Sequence, residues 1–149
     1  MVSANGRFRL VIEALDGWRQ LAAQATVQKL QGATVVTAWT QPIPQQLGPR
    51  QALVADDGRV LMIDEGINVQ SRFALMLFDA QGRRVATHHF DVLALTAQAT
   101  PAETKAHARS GTWMGPPAVL DSGGHTARVP FAGRTLLVSL GDGRLTLAR

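Results

Sequence analysis

The stretch DGRVLMIDE, residues 57–65, opens with aspartate, glycine and arginine, continues with apolar residues and ends with two acids. Residues 5–13, NGRFRLVIE, follow the same order. An Asn/Asp-Gly pair readily adopts the positive φ angles that tight hairpin turns require. Apolar residues at every second position, as in residues 8–12, then form one face of a β-strand. The pattern therefore predicts a hairpin turn leading into a strand, repeated along the chain.

Other segments extend this repeat. QGATVVT at 31–37 aligns with QGRRVAT at 81–87, and a degenerate copy consists of AGRTLLV at 132–138 and DGRLTL at 142–147. The period is about fifty residues, in the range of β-repeat units. We therefore predict one all-β, mainly antiparallel domain, 1–149, of about three hairpin-based repeats, propeller-blade-like or sandwich-like. The units are approximately 4–54, 55–110 and 111–149.

Three segments refine the predicted strands. FALMLF, residues 73–78, is apolar throughout and is expected to be a central strand covered on both faces. Residues 22–31 contain helix-favouring Ala and Gln, but the repeat alignment predicts a strand there. Pro130 lacks an N–H donor, so residues 126–131 are expected to be an edge strand or to contain a bulge.

One segment predicts helix. Thr100 offers an N-cap hydroxyl, Pro101 suits the first helical position, and Glu103 completes a capping box. Gly111 provides a possible C-terminal stop, and residues 91–97 favour a further short helical turn. We expect one short helical insertion near residues 91–109.

Composition excludes several functional classes. The chain contains no cysteine, which rules out disulfides, thiolate metal sites and cysteine nucleophiles. Its 15 Lys and Arg against 11 Asp and Glu give a net charge of +4. The basic residues are scattered, and several follow turn glycines, so nucleic acid is not the expected partner. The longest apolar run, residues 73–78, is too short to span a bilayer.

The candidate catalytic and metal-binding residues have more ordinary explanations. His88 and His89 are neighbours on a strand and point to opposite faces, so they are not expected to chelate one metal. His107 and Glu103 are spaced for an ordinary helical contact. The acidic pairs at 56–57 and 64–65 are interpreted as turn acids. We predict no catalytic residue, no metal site and no cofactor.

A ligand-binding surface is predicted on loops. Tryptophan at strand ends more often fills the core than binds a ligand. Trp113 is nevertheless the best ligand contact of the three tryptophans, because glycines and prolines surround it. Loops that join rigid strands are common binding surfaces. The predicted ligand-binding residues are Glu65, Asn68 and Arg72 from one loop and Trp113 from another.

The Asn/Asp-Gly-Arg turns and their strands resemble blades of a β-propeller-type repeat. More narrowly, residues 52–64 and 74–90, followed by Trp113 and the final hairpin, resemble a family of uncharacterised bacterial envelope-associated proteins. That resemblance implies a periplasmic or cell-envelope location, provided that a signal peptide has been removed ahead of Met1.

We therefore expect a non-catalytic binding or scaffolding module, with a protein or a small ligand as its partner and no membrane span. One alternative is a hydrolase-type enzyme whose loops assemble a site that uses His125, Asp64 or Glu65 as acid or base. A Ser/His/Asp arrangement of Ser122 or Ser110 with His125 is disfavoured, because the Gly-x-Ser-x-Gly elbow is absent. A second alternative is a homo-oligomeric structural protein that associates through its strand edges.

Overall fold

A computed structural model describes residues 1–19, 22–45, 48–64, 70–108, 113 and 115–149. Within these ranges the chain forms eleven β-strands in three antiparallel sheets, together with two short helices. The predicted all-β, mainly antiparallel class with a short helical insertion is confirmed.

The first sheet has the strand order β1-β2-β3. Its strands are β1 (Phe8–Ala14), β2 (Ala23–Gln31) and β3 (Thr34–Ile43). β1 pairs with β2 along its whole length, from Phe8 opposite Lys29 to Ala14 opposite Ala23. A short 3-10 turn, Leu15–Trp18, joins these two strands. The strand that the repeat predicted over residues 22–31 is therefore confirmed as β2.

The second sheet has the order β4-β5-β6-β7. Its strands are β4 (Gln51–Val54), β5 (Val60–Ile63), β6 (Leu75–Phe78) and β7 (Arg84–His88). Every residue of β5 and β6 is buried. The predicted central strand covered on both faces is confirmed as β6. β4 pairs with β5, so it belongs to this sheet although the predicted first unit ended at residue 54.

The third sheet has the order β11-β10-β9-β8. Its strands are β8 (Val119–Leu120), β9 (Thr126–Phe131), β10 (Arg134–Ser139) and β11 (Leu145–Leu147). β8 pairs only with Ala127 and Arg128 of β9. β9 therefore lies between β8 and β10 and pairs with β10 without a register shift, so the prediction that residues 126–131 form an edge strand or contain a bulge is wrong. Pro130 lies opposite Thr135 of β10, past the two residues of β9 that pair with β8.

The helical insertion consists of α1 (Phe90–Thr96) and α2 (Pro101–His107). Both halves of the predicted capping box are present. The Thr100 hydroxyl accepts from the Glu103 backbone N–H, and the Glu103 carboxylate accepts from the Thr100 backbone N–H. The predicted stop at Gly111 lies outside the described residues.

The second sheet is the middle layer between the other two. One of its faces, with Leu61 and Leu77, packs into a core shared with the third sheet and α1. The other face, with Met62 and Phe78, packs into a core shared with the first sheet. Phe78 there stacks on Trp39 of β3 with ring centroids 5.5 Å apart. Alternate side chains of a strand point to opposite faces, so an apolar run can fill two cores.

The repeated turns bring the sheets into close contact. Gly58 and Gly82 have φ angles of +92° and +78°. The Asx-Gly pattern predicted this left-handed conformation at Gly58, and the repeat predicted a turn at Gly82. A Cβ on Gly58 would lie 2.9 Å from the Phe8 ring, and one on Gly82 would lie 2.7 Å from the Trp39 indole. These glycines therefore supply both the turn conformation and the space in which an aromatic ring of the first sheet packs against the second.

Candidate functional site

The structure places the four predicted ligand-binding residues as follows. Glu65 and Asn68 lie outside the described residues, and Arg72 is exposed. Trp113 is fully buried and packs on Phe131 with ring centroids 5.2 Å apart. Its indole fills the core between the second and third sheets, as the commoner role of tryptophan in such folds predicts. The binding surface composed of these four residues stays a prediction.

Each histidine ring contacts the protein through at least one nitrogen. His88 Nε2 lies 2.7 Å from the Gly143 carbonyl oxygen, linking β7 to the last hairpin. His89 caps α1 by accepting from the Asp91 backbone N–H through Nδ1. His107 Nδ1 lies 2.8 Å from the Glu103 carbonyl oxygen. These three rings thus connect backbone segments.

His125 lies at a junction of turns. Its Nδ1 is 3.4 Å from Nη2 of Arg59, and its backbone N–H donates to Oδ1 of Asp121 at 2.9 Å. Arg59 in turn pairs with Asp57, with Nε and Nη2 each 2.8 Å from Oδ2. The guanidinium stays protonated and can only donate. Arg59 therefore occupies the ring nitrogen that a general base would need.

The carboxylates near His125 are held in their charged form. Burial raises the pKa of Asp57, but hydrogen bonds and charge from Arg59 outweigh it, so the pKa lies below its usual value. A hydrogen bond from the Thr126 backbone, with smaller contributions from His125, lowers the pKa of Asp121. A general base at neutral pH needs a raised carboxyl pKa. Both groups are therefore better suited to stabilising turns than to transferring protons.

The structure describes two other residues of the acid/base alternative, Asp64 and Ser122. Asp64 is fully buried at the end of β5, with a φ angle of +56°, and its N–H donates to the Ala74 carbonyl. Ser122 is exposed on the turn before β9, while Glu65 and Ser110 lie outside the described residues. The alternative built on His125 stays a prediction.

A groove of about 420 Å³ runs between β4 and β8, the edge strands of the second and third sheets. The N-terminal residues Val2 and Ala4 form part of its wall. Small and branched apolar side chains make up most of its lining, and polar groups lie at one end. The apolar lining residues are Val2, Ala4, Ala52, Leu53, Val54, Ala118, Val119 and Leu120; the others are Asp56, Asp121, Ser122 and Gly124.

One side chain links the two edge strands beside this groove. Nε2 of Gln51 donates to the Ala118 carbonyl at 2.6 Å, and its Oε1 accepts from the Ala118 N–H at 2.9 Å. A side-chain amide has the same donor and acceptor as a peptide group. Gln51 thus pairs with Ala118 as a neighbouring strand would, and it joins two sheets that share no ladder.

The polar end of the groove brings the turns of all three sheets together. The Asn5 backbone N–H and side-chain amide donate to Asp56, at 2.8 and 3.1 Å. Arg59 and His125 then link this turn to the one before β9. Sequence reasoning did not identify the groove, because its lining residues are ordinary apolar residues far apart in the chain. The repeated Asx-Gly-Arg turns were the one usable signal.

The described residues contain no group of three or more His, Asp or Glu side chains that could hold a metal ion. Among the described helices, none is both long and apolar enough to cross a membrane. No protein-family model matches the chain, and neither the search of curated proteins nor that of solved structures found a match.

Proposed function

We propose that this protein is a non-catalytic binding module whose groove between β4 and β8 holds an extended segment of another protein. The observation that supports this is the groove itself. It lies between two sheet edges, and an extended peptide can add to such an edge through main-chain hydrogen bonds. The envelope location implied by the resemblance belongs to this proposal and rests on the resemblance alone.

The lining indicates the chemistry of the segment. Valine, leucine and alanine side chains form the floor, so short branched apolar residues would fit there. Val119 is 51% exposed, which leaves apolar surface for a partner to cover. Asp56 and Asp121 at the polar end favour a lysine, an arginine or a free amino terminus in the partner. The favoured ligand is thus an extended apolar segment with a cation at one end.

The geometry of His125 supports this binding role over the acid/base alternative. A ring nitrogen held by a guanidinium, beside carboxylates whose pKa values are lowered, is better suited to connecting turns. Replacing His125 with alanine should therefore leave the peptide affinity within about twofold of the wild type, because His125 does not line the groove.

Fluorescence anisotropy tests the proposal with a labelled synthetic peptide of alternating valine and threonine ending in lysine. Val119→Arg places a long charged side chain in the groove and should weaken binding by at least about tenfold. Val92→Arg is the matched control, since Val92 is 42% exposed on α1, outside the groove. It should bind as the wild type does.

Two results would contradict the proposal. One is an equal loss of peptide affinity in Val119→Arg and Val92→Arg, which would mean that the peptide binds outside the groove. The other is equal binding of a peptide with proline in place of the threonines, since proline has no N–H to donate to a sheet edge. Circular dichroism confirms that each variant is folded.

A further inference from the structure

The free edge of β3 differs from every other sheet edge of the described chain. β3 is the outer strand of the first sheet and pairs only with β2. It is ten residues long, and none of those residues is charged. The whole stretch from residue 30 to residue 49 also lacks charge. An edge strand of this kind offers unpaired N–H and C=O groups to another strand.

The other edges are short, charged or covered. β8, β11 and β4 have only two, three and four residues. β7 begins with Arg84 and contains an irregularity in its pairing with β6. The edge of β1 is covered by the N-terminal residues, where Val2 bridges to Arg9 and the Leu10 N–H donates to the Met1 carbonyl. Natural proteins protect sheet edges in these ways, and also with bulges and proline. In β3 the bulge at Ala38 and Pro42 both lie beyond Thr37, which leaves Thr34–Thr37 without such protection.

The first four residues of β3 are the most accessible part. Ala38 has no cross-strand partner, so the bulge there separates Thr34–Thr37 from the part of β3 that packs on the second sheet. β1 pairs with β2 only as far as Lys29, which leaves the tip of the β2–β3 hairpin extending past β1. Val35 and Val36 are 49% and 47% exposed, on opposite faces of the strand.

We propose that two copies of this chain form a two-fold symmetric dimer by antiparallel pairing of their Thr34–Thr37 edges. Directly opposite residues share a face, so a two-fold antiparallel contact places one residue opposite itself. With Val36 opposite Val36 of the second copy, Val35 lies opposite Thr37, and each of these cross-strand pairs is β-branched against β-branched, a favourable combination. No charge on this edge opposes its own copy. The pairing joins the two first sheets into one continuous sheet of six strands.

A second copy is the occupant that this edge fits best. A two-fold contact requires a self-complementary surface, and an uncharged strand pairing antiparallel with itself provides one. Because the remaining edges are short, charged or covered, the contact closes at two copies and does not propagate into a fibre. The dimer leaves the groove between β4 and β8 open, so it is independent of the proposed peptide binding.

Sedimentation equilibrium on the full chain tests the proposal. The wild type should shift with concentration from 16.0 kDa toward twice that mass. Val35→Lys, opposite Leu30 of the same chain, places one lysine from each copy at diagonal positions on the same face of the joined sheet. Repulsion between these like charges should raise the dimer dissociation constant by at least about tenfold. Thr37→Lys, on the same face of the strand, should do the same.

Val85→Lys is the matched control, since Val85 lies on β7 and is 39% exposed. It should dimerise as the wild type does. Hydrogen exchange gives a second readout, because the amides of Thr34–Thr37 should become protected as the wild-type concentration rises. A wild type that is monomeric at all concentrations would overturn the proposal, as would assembly beyond two copies or dimers unaffected by both edge lysines.

Discussion

The first and second sheets each contain a strand that follows an Asx-Gly-Arg turn, β1 and β5, yet the two sheets differ in what surrounds them. In the second sheet, β5 and β6 are buried on both faces because a sheet packs on either side. In the first sheet only one face is covered, and β3 is exposed over most of its length. The position of a sheet in the stack therefore decides how much its residues contribute to stability. The strand propensity of those residues matters less.

The largest expected difference is in the cost of removing a side chain. Leu61→Ala in β5 should lower the free energy of unfolding by about 2–5 kcal/mol, because it leaves a cavity in a fully buried layer. Val36→Ala in β3 should change it by no more than about 0.5 kcal/mol, as is usual at exposed positions. Urea denaturation measures both. An equal loss of unfolding free energy in the two variants would show that the second sheet is not the middle layer.

Turn glycines should show the next largest difference. Gly82→Ala, in the second sheet, forces alanine into a left-handed conformation and also drives its Cβ against Trp39. The left-handed backbone should lower the free energy of unfolding by about 1–2 kcal/mol. The overpacking against Trp39 should lower it by about 1–3 kcal/mol more.

Gly32→Ala is the matched control in the first sheet. Gly32 has a φ angle of +59°, but nothing lies within 4 Å of the added Cβ. Only the backbone cost of about 1–2 kcal/mol should remain. If thermal melts show the two variants to be equally stable, Trp39 is free to move away from the turn.

The smallest expected effect is a difference in pH dependence between the turns. Burial raises the pKa of Asp79, but hydrogen bonds from Arg83 and from the Gln81 N–H together lower it below its usual value of 3.8. Asn5 makes a similar contact in the turn before β1, where its Oδ1 accepts from the N–H of Arg7, two residues further on. Asparagine does not titrate, so only the second-sheet turn of this pair should respond to acid.

The sign of the Asp79 effect follows from its lowered pKa. The stabilisation is fully present above pH 3.8 and is lost as the pH falls through the lower folded-state pKa. Asp79→Asn should therefore be less stable than the wild type at pH 7. The difference in free energy of unfolding between the two proteins should become smaller below pH 3.8. The same substitution in reverse, Asn5→Asp, should introduce a new acid dependence. A constant gap between pH 7 and pH 2 would contradict this assignment.

Much of the fold could be predicted from local signals. The turn glycines of the repeat located the starts of β1, β3, β5, β7, β10 and β11. The capping box at Thr100 located the start of α2 at Pro101. The repeat, and not residue propensity, identified β2. These signals succeed because turn and cap chemistry depends on residues a few positions apart, and the hydrogen bonds form within that same stretch.

The candidate groove could not be predicted in this way. Gln51 and Ala118 are 67 residues apart, and nothing in the residues around either position indicates that they pair. Likewise, the sequence pattern marked Trp113 as a possible ligand contact, but the structure buries it against Phe131. Burial depends on which surfaces pack together, and that information is spread over the whole chain.

The sequence by itself determined where the chain turns and which segments become strands, because positive φ angles, caps and alternating side chains are local requirements. It also determined that no cysteine chemistry occurs. Only the tertiary structure decided that the second sheet is the middle layer, that a groove opens between β4 and β8, and that β3 keeps a free edge. Those features arise where surfaces from distant segments meet or fail to meet, and no single segment encodes them.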